Sequence, residues 1–280
     1  MRGKNIVRSP VRLFLILTFA LSWPIHLYGF GWYGYSSDEI LARCLFSYLG
    51  MLMVALSALI VRVLAERKGF EDVGWNLGRP AWYLSALLFC ALLWLAPSLI
   101  ALLFGRLEWN WTINRGELAT VVLSLAGPSA IAGFGEEFGW RGYLLPRLLS
   151  DRNRAREVLS VIGIIWGVWH FPVVLGPLLR DALENPFNWT TIIGPTLLSC
   201  IQMVGACIAL SVIFGALWLR TQSIFLLSFF HGYLIGIRDA IGMVIVGRSA
   251  ISVLMQIVIL VTAWFIAYRW LAGYERERSQ

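Results

Sequence analysis

Charged residues are scarce in this chain of 280 residues, at 14% of the total, whereas 59% of the residues are hydrophobic. A soluble domain of this length has too little interior to bury so much apolar surface, so most of the chain must face lipid. Cysteine is scarce too, and the four cysteines form no C-x-x-C pair. We interpret them as packing residues. The sequence also has no internal repeat and no low-complexity linker.

Long apolar stretches occupy most of the sequence, and about eight of them meet the length of about 20 residues that a spanning helix needs. They lie near residues 11–30, 41–64, 82–105, 119–146, 157–177, 191–219, 222–238 and 250–271. The sequence therefore predicts an all-α, polytopic membrane protein with about eight transmembrane helices. Little is left for a soluble domain, so we expect a single integral-membrane domain over residues 1–280.

Basic residues are distributed unevenly among the connections between these stretches. They cluster before the first span, after the second and fourth, and at the end of the chain, whereas the alternate connections are poorer in basic residues or carry offsetting acids. By the positive-inside rule, this pattern predicts that both termini are cytoplasmic. The net charge of +7 then follows from membrane topology, and we expect no nucleic-acid partner.

The fourth predicted span is unusual because Glu136, Glu137 and Arg141 interrupt an otherwise apolar stretch. Charges at this depth are costly, so they face the bundle interior or a water-filled cavity. On a helix, Glu137 and Arg141 share one face, whereas Glu136 points about 100° away. We therefore predict that Arg141 pairs with Glu137 and that Glu136, without a local cation, is the candidate general base. The alternative is a structural ion-pair cluster that ties helices together.

Histidine is rare, with only His26, His170 and His231 in the chain. Counted from the predicted cytoplasmic ends, His170 and His231 lie at about the depth of Glu136, roughly 14–20 Å into the membrane. Carboxylates and imidazoles on three helices at one level favour a functional site, within a catalytic core of about 119–238. His26, near the outer end of the first span, is expected at the membrane interface.

At these positions the sequence resembles the CPBP family of membrane proteins, which includes the type II CAAX prenyl endopeptidases and bacterial relatives linked to bacteriocin self-immunity. The family motif E-E-x-x-x-R is matched by Glu136, Glu137 and Arg141. The motif F-x-x-x-H appears as Trp-Gly-Val-Trp-His at 166–170, with Trp in place of Phe. The resemblance extends over about 136–235.

This resemblance implies an intramembrane glutamate endopeptidase that needs no cofactor and opens toward the cytoplasm. By analogy, Glu136 and His170 would activate a water for attack on the scissile carbonyl. Glu137 and Arg141 would orient the site, and His231 would help to stabilise the oxyanion. The expected partners are the lipid bilayer and a peptide or protein substrate, either prenylated or membrane-inserted. The expected location is the bacterial plasma membrane, as an integral multi-pass protein.

The third family motif, H-x-x-x-N/D, begins at His231 but has Ile235 in its last position. Isoleucine cannot donate a hydrogen bond, so a donor that the family would aim at the oxyanion is missing. Loss of such a donor typically lowers the rate by about 10²–10³. Ser228, Asp239 and Gln202 are the candidate replacements.

Three other hypotheses use the same residues. In a metal-dependent variant, Glu136, His170 and His231 would bind Zn²⁺, although the sequence has no H-E-x-x-H motif. A transporter or proton relay would also place Glu, His and Arg at mid-membrane, although the chain lacks the paired hydropathy halves of many transporters. A non-catalytic immunity or scaffold protein would keep the fold without the chemistry.

Overall fold

Helices make up nearly all of the computed structural model, which describes residues 2–32, 37–110, 115–149, 154–184, 189–247 and 250–279. The α-helices are α1 (Arg2–Trp32), α2 (Ser37–Ile60), α3 (Pro80–Leu103), α4 (Arg115–Gly139), α5 (Leu145–Leu148), α6 (Ala155–Trp169), α7 (Phe171–Glu184), α8 (Trp189–Thr221), α9 (Ile224–Val244) and α10 (Ala250–Ser279). The shorter elements are π-helices at Val61–Glu66 and Trp140–Leu144, a 3-10 turn at Glu71–Val73, and strands β1 (Glu108–Trp109) and β2 (Ile245–Val246). The predicted all-α class is confirmed.

Seven stretches of helix in the described part of the chain are long and apolar enough to cross a membrane. They are Pro10–Trp32, Ala42–Glu66, Pro80–Leu103, Ala155–Glu184, Ile193–Thr221, Ile224–Gly242 and Val253–Glu277. Each overlaps one predicted span, which confirms the polytopic membrane architecture. The remaining predicted span, 119–146, is α4 with its π-helical extension. It is helical as expected, and it contains Glu136 and Glu137.

The outward faces of the helices are apolar, and the charged groups near the end of α4 are inside. On α3 and α10 the exposed side chains repeat at helical spacing: Leu84, Leu88, Leu92, Leu95, Leu99, Leu254, Val258, Val261 and Phe265. Glu136, Glu137 and Arg141, by contrast, are all fully buried. This inversion of the soluble pattern is expected where lipid replaces water as the solvent.

Short contacts show which helix ends lie together. Strands β1 and β2 pair antiparallel and join the ends of α3 and α9 at one end of the bundle. At the other end, Trp75 pairs with Ser223 just before α9, and Arg156 forms an ion pair with Glu275 near the end of α10. The basic connections that follow α2 and α4 belong to this second end. We therefore keep the prediction that this end, with both termini, is cytoplasmic.

Helices α4 and α9 approach each other almost backbone to backbone. A Cβ atom added to Gly133 would lie 2.9 Å from the carbonyl oxygen of Ser228 and 3.0 Å from Cβ of His231. One added to Gly232 would lie only 2.4 Å from Cα of Ala130. Small residues allow this approach, and it brings the carboxylates of α4 opposite His231.

The fifth predicted span, 157–177, is interrupted at His170, which separates α6 from α7. Pro172 explains the interruption, because proline has no N–H and its ring clashes with the carbonyl four residues earlier. The backbone N–H of His170 donates to the carbonyl oxygens of Trp166 and Gly167, at 3.3 and 3.1 Å. Helix α6 therefore ends at Trp169, and His170 is its C-cap.

Candidate functional site

A fully buried ion pair forms one half of the site. Oε1 of Glu137 accepts hydrogen bonds from Nη1 of Arg141 and from Nδ1 of His231, each at 2.8 Å. The predicted i,i+4 pair of Glu137 and Arg141 is thus confirmed, and it is linked to α9. Since an ionised carboxylate only accepts, Nδ1 of His231 carries a proton, and in the neutral form of the ring Nε2 is an acceptor.

Arg141 is enclosed by aromatic rings. The central carbon of its guanidinium lies 4.6 Å from the ring centre of Trp166 and 4.9 Å from that of Phe214. Cation–π attraction is strengthened where water is excluded. Among the described residues, Nε and Nη2 of Arg141 and Oε2 of Glu137 have no hydrogen-bond partner. Buried polar atoms of this kind ordinarily bind water or a polar ligand, so the cluster can accommodate a small polar molecule.

Glu136 is held by two indole rings. Its Oε2 accepts a hydrogen bond from Nε1 of Trp140 at 3.1 Å and another from Nε1 of Trp166 on α6. Only 1% of the residue is exposed, and no arginine or lysine pairs with it in the described part of the chain. Its second oxygen, Oε1, lies 4.0 Å from Nε2 of His231.

The two atoms that face each other across this gap are both acceptors when Glu136 is ionised and His231 is neutral. A single water at hydrogen-bond distances of about 2.7–2.8 Å can donate one hydrogen to each of them. Polar contacts of this length are commonly bridged by water. The arrangement of Glu136 and His231 therefore suits a bound water whose lone pairs are free.

His170 contacts the cluster through Trp166 and not through the glutamates. Its Nδ1 donates to the carbonyl oxygen of Trp166 at 2.9 Å, and Sγ of Cys207 lies 3.7 Å from the same nitrogen. No hydrogen bond or ion pair joins His170 to Glu136 or Glu137 within the described ranges. The expected pairing of Glu136 with His170 is thus not a direct contact, and its catalytic role stays a prediction.

His26 is buried, which differs from its expected place at the membrane interface. Only 1% of it is exposed, and its ring packs edge-on against Trp169 at 4.8 Å. Trp169 in turn contacts His170 at 4.9 Å. A signal was present in the sequence, because Thr18, Ser22 and His26 follow at intervals of four and form a buried polar stripe on α1.

The two indole donors to Glu136 were not predicted. Trp140 lies four residues after Glu136, so the same spacing argument that paired Glu137 with Arg141 could have identified it. Trp166 was noted only as a replacement for Phe, and its contact with Glu136 joins α6 to α4 across 30 residues of sequence. Such a contact depends on how α6 is rotated, which its sequence does not specify.

The candidate replacements for the donor missing at residue 235 do not point into the cluster. The hydroxyl of Ser228 donates to a carbonyl of the preceding helical turn at 2.7 Å. Asp239 pairs with its neighbour Arg238, and Gln202 is exposed on α8. Ile235 itself packs against the apolar core.

The zinc hypothesis requires Glu136, His170 and His231 to surround one point, about 2.0–2.2 Å from the ion. The described residues contain no group of three or more His, Cys, Asp or Glu side chains placed to hold a metal ion. Glu136 and His231 are close to each other, but His170 contacts Trp166 and Cys207 instead. The structure brings Glu136 and His231 together, and metal dependence stays an alternative hypothesis.

A second cluster of charged residues lies just beyond the site, toward the predicted cytoplasmic end. Arg62, in the π-helix that follows α2, donates to the carbonyl oxygen of Gly142 at 3.1 Å and to the carboxylate of Asp72. Arg147 donates to Glu66 at 2.8 Å. These bonds connect residues 62–72 to the π-helix that contains Arg141 and to the turn that follows it.

A separate apolar cavity of about 280 Å³ lies between α3 and α9, beside the strand pair. Its lining includes Leu95, Leu99, Trp109, Tyr233, Ile237 and Ile241. No charged residue and no histidine is among the described residues that line it. The cavity is therefore distinct from the polar cluster around Glu136.

Comparison with known protein families gives a match over residues 118–235, to the sequence model of the type II CAAX prenyl endopeptidase family described as Rce1-like. A search of curated proteins finds no match. The matched range contains every residue of the polar cluster: Glu136, Glu137, Arg141, Trp166, His170 and His231.

Proposed function

On the premise that residues 118–235 form a segment of the Rce1-like CAAX protease kind, we propose that the protein is an intramembrane endopeptidase in which Glu136 activates a water. The family match supports a CAAX-protease-like membrane endopeptidase at the level of the family. The observation that carries the residue assignment is the facing pair of acceptors, Oε1 of Glu136 and Nε2 of His231, at 4.0 Å.

In the proposed reaction, a water held between Glu136 and His231 attacks the carbonyl carbon of the scissile peptide bond. One proton of the water passes to Glu136 as the new C–O bond forms, and the carbonyl oxygen becomes an oxyanion. When the C–N bond breaks, Glu136 returns that proton to the leaving amine. No metal or cofactor enters these steps.

Glu137 and Arg141 orient the site in this proposal. Glu137 fixes the proton of His231 on Nδ1, so that Nε2 faces Glu136. Arg141 compensates the charge of Glu137, and its N–H groups at Nε and Nη2 provide positive charge toward the developing oxyanion. His170 is assigned to the substrate-facing side, because it is the least buried of the five predicted site residues.

The substrate proposed for testing first is a prenylated peptide ending in a C-a-a-X sequence, because the matching family is named for that activity. A membrane-inserted segment of a partner protein is the other substrate class that a site among apolar helices can serve. The protein is proposed to act in a bacterial plasma membrane.

The proposed function is tested by mass spectrometry of membrane-associated peptides from cells that carry the wild type or Glu136→Gln. We expect a new peptide terminus that is present with the wild type and missing with the variant, which would identify the substrate and the bond together. Glu157→Gln, at an exposed glutamate on α6, is the matched control and should leave the terminus in place. An identical set of termini in all three samples would contradict proteolysis.

Ile235 favours a second candidate, a non-catalytic immunity or scaffold protein with the same fold. It packs against the apolar core where the family motif has a hydrogen-bonding residue. Glu136→Gln distinguishes the two candidates, since a scaffold should keep its full biological function when this carboxyl becomes an amide, and a protease should not.

A further inference from the structure

We propose that Trp166 is a positioning residue, whose indole N–H fixes Glu136 in the orientation needed to bind the attacking water. The inference rests on the proposed function, because it concerns the carboxylate that would take the proton of the water. It goes further by assigning a role to a side chain that cannot itself exchange protons in the reaction.

Trp166 contacts four of the five predicted site residues. Its indole donates to Glu136, and its ring lies below the guanidinium of Arg141 at 4.6 Å. The same ring meets the imidazole of His231 edge-on at 5.6 Å. Its backbone carbonyl accepts the hydrogen bond from Nδ1 of His170 at 2.9 Å.

The hydrogen bonds to Glu136 select one of its two oxygens for the water. Trp140 and Trp166 both donate to Oε2, and together they occupy the two lone pairs of that oxygen. Oε1 is then the oxygen left to face Nε2 of His231. Without the indole of Trp166, the carboxylate is free to rotate and to present either oxygen.

A neutral donor suits this task. Glu137 is held by the cation of Arg141, which compensates its charge. The indoles of Trp140 and Trp166 orient Glu136 without compensating its charge, so the two neighbouring carboxylates can serve as orienting group and proton acceptor. The two neighbouring glutamates can thus have different roles, because different groups donate hydrogen bonds to them.

Trp166 also stands where the related motif has phenylalanine, which has no donor. The chain therefore gains a hydrogen-bond donor at Trp166 and lacks one at Ile235. Because Trp166→Phe keeps an aromatic ring beneath Arg141 and removes the N–H, it isolates the hydrogen bond from the packing. Ile235→Asn restores the donor of the related motif and can be combined with it.

The hydrogen bond is tested directly by NMR of the reconstituted full-length protein with ¹⁵N-labelled indoles. Trp166→Phe assigns the resonance of Trp166, and Glu136→Gln should then shift that proton resonance upfield because an amide is a weaker acceptor than a carboxylate. The indole of Trp218, buried and without a partner in the described part of the chain, should not move. An unchanged Trp166 resonance in Glu136→Gln overturns the proposal, whether or not the protein hydrolyses any peptide.

The positioning role is tested by turnover of a farnesylated C-a-a-X reporter peptide. Trp166→Phe should lower kcat by about 10- to 100-fold with little change in KM, the effect of losing one hydrogen bond to a charged group. Trp218→Phe is the matched control and should keep wild-type turnover, and adding Ile235→Asn to Trp166→Phe should restore part of kcat.

The outcomes of the two measurements separate the two proposals. An unchanged kcat in Trp166→Phe, with activity lost in Glu136→Gln, would refute the positioning role and leave the proposed function standing. Wild-type turnover in Glu136→Gln would refute the proposed function. The resonance of Trp166 would then still decide whether its indole is bonded to Glu136.

Discussion

At the scale of single residues, two neighbouring carboxylates of the site differ in the groups that donate hydrogen bonds to them. Glu137 accepts from a guanidinium and an imidazole, whereas Glu136 accepts from two indoles. The difference follows from helical geometry, which turns adjacent side chains about 100° apart and so toward different neighbours. A proton acceptor and an orienting group can therefore occupy adjacent positions in one helix.

Removing Arg141 should be costly for stability. Arg141→Met leaves Glu137 buried with only His231 as a partner, and breaking a buried ion pair from one side costs about 3–5 kcal/mol. The loss of stability is measured as the change in the free energy of unfolding in mixtures of a mild detergent and SDS. Arg180→Met, in a partly exposed i,i+4 pair with Glu184, is the matched control, with an expected change of about 0–1 kcal/mol. Equal losses in the two variants would contradict the assigned difference.

His231 should matter more for turnover than the buried histidine on α1. His231→Ala removes both the bond to Glu137 and the acceptor that faces Glu136, so we expect turnover to fall by about 10²–10⁴. His26→Ala, which touches neither glutamate in the described structure, should change turnover by less than about 10-fold. Hydrolysis of the reporter peptide measures both, and similar losses in the two variants would count against the water site.

At the scale of helices, two features bring the side chains together. The close approach of α4 and α9 at Gly133 and Gly232 brings His231 to Glu137. The interruption of the fifth predicted span at His170 lets the last carbonyls of α6 bond to the side chain and backbone of that residue. The geometry of the site thus depends on glycines and on Pro172, none of which takes part in the chemistry.

A methyl group at the closest approach should separate α4 from α9. In Gly232→Ala the new Cβ would lie 2.4 Å from Cα of Ala130, a backbone atom that cannot move alone. We expect a loss of about 1–3 kcal/mol in the free energy of unfolding, together with reduced turnover. Gly242→Ala, on the same helix but with nothing within 4 Å, should be neutral or slightly stabilising. A neutral Gly232→Ala would show that the helices adjust more freely than this packing implies.

At the scale of the whole molecule, the contacts assign the helix ends to two sides. The pair β1–β2 lies on one side, and Trp75 with Ser223 and Arg156 with Glu275 lie on the other. With α4 counted as a crossing and α6–α7 as one, the described helices predict eight crossings, with both termini on the side of Arg156. The basic residues predict that this side is cytoplasmic.

Labelling of single cysteines in a background without the four native ones tests this orientation in intact bacterial cells. An impermeant thiol reagent should label Glu108→Cys in β1 and leave Arg154→Cys unlabelled, because the second position lies at the start of α6 on the predicted cytoplasmic side. A permeant reagent should label both variants. Labelling of Arg154→Cys alone by the impermeant reagent would reverse the orientation.

The sequence was sufficient where local geometry decides the outcome. Span positions follow from apolar length, and the pairing of Glu137 with Arg141 follows from a spacing of four on a helix. The sequence was insufficient where a contact depends on how a helix is rotated or where it is interrupted. The bond from Trp166 to Glu136, the contact of His170 with Cys207 and the burial of His26 depend on how separate helices meet.

The π-helix at Trp140–Leu144 sets how many residues separate the carboxylates from Arg147. A π-turn holds more residues than an α-turn, and this one precedes Arg147, which bonds to Glu66. Because the wider turn accommodates the additional residue, deleting one residue there would give an ordinary α-turn and leave the later side chains facing the same way. A homologue shorter by one residue in this stretch would therefore keep both glutamates and the link between Arg147 and Glu66.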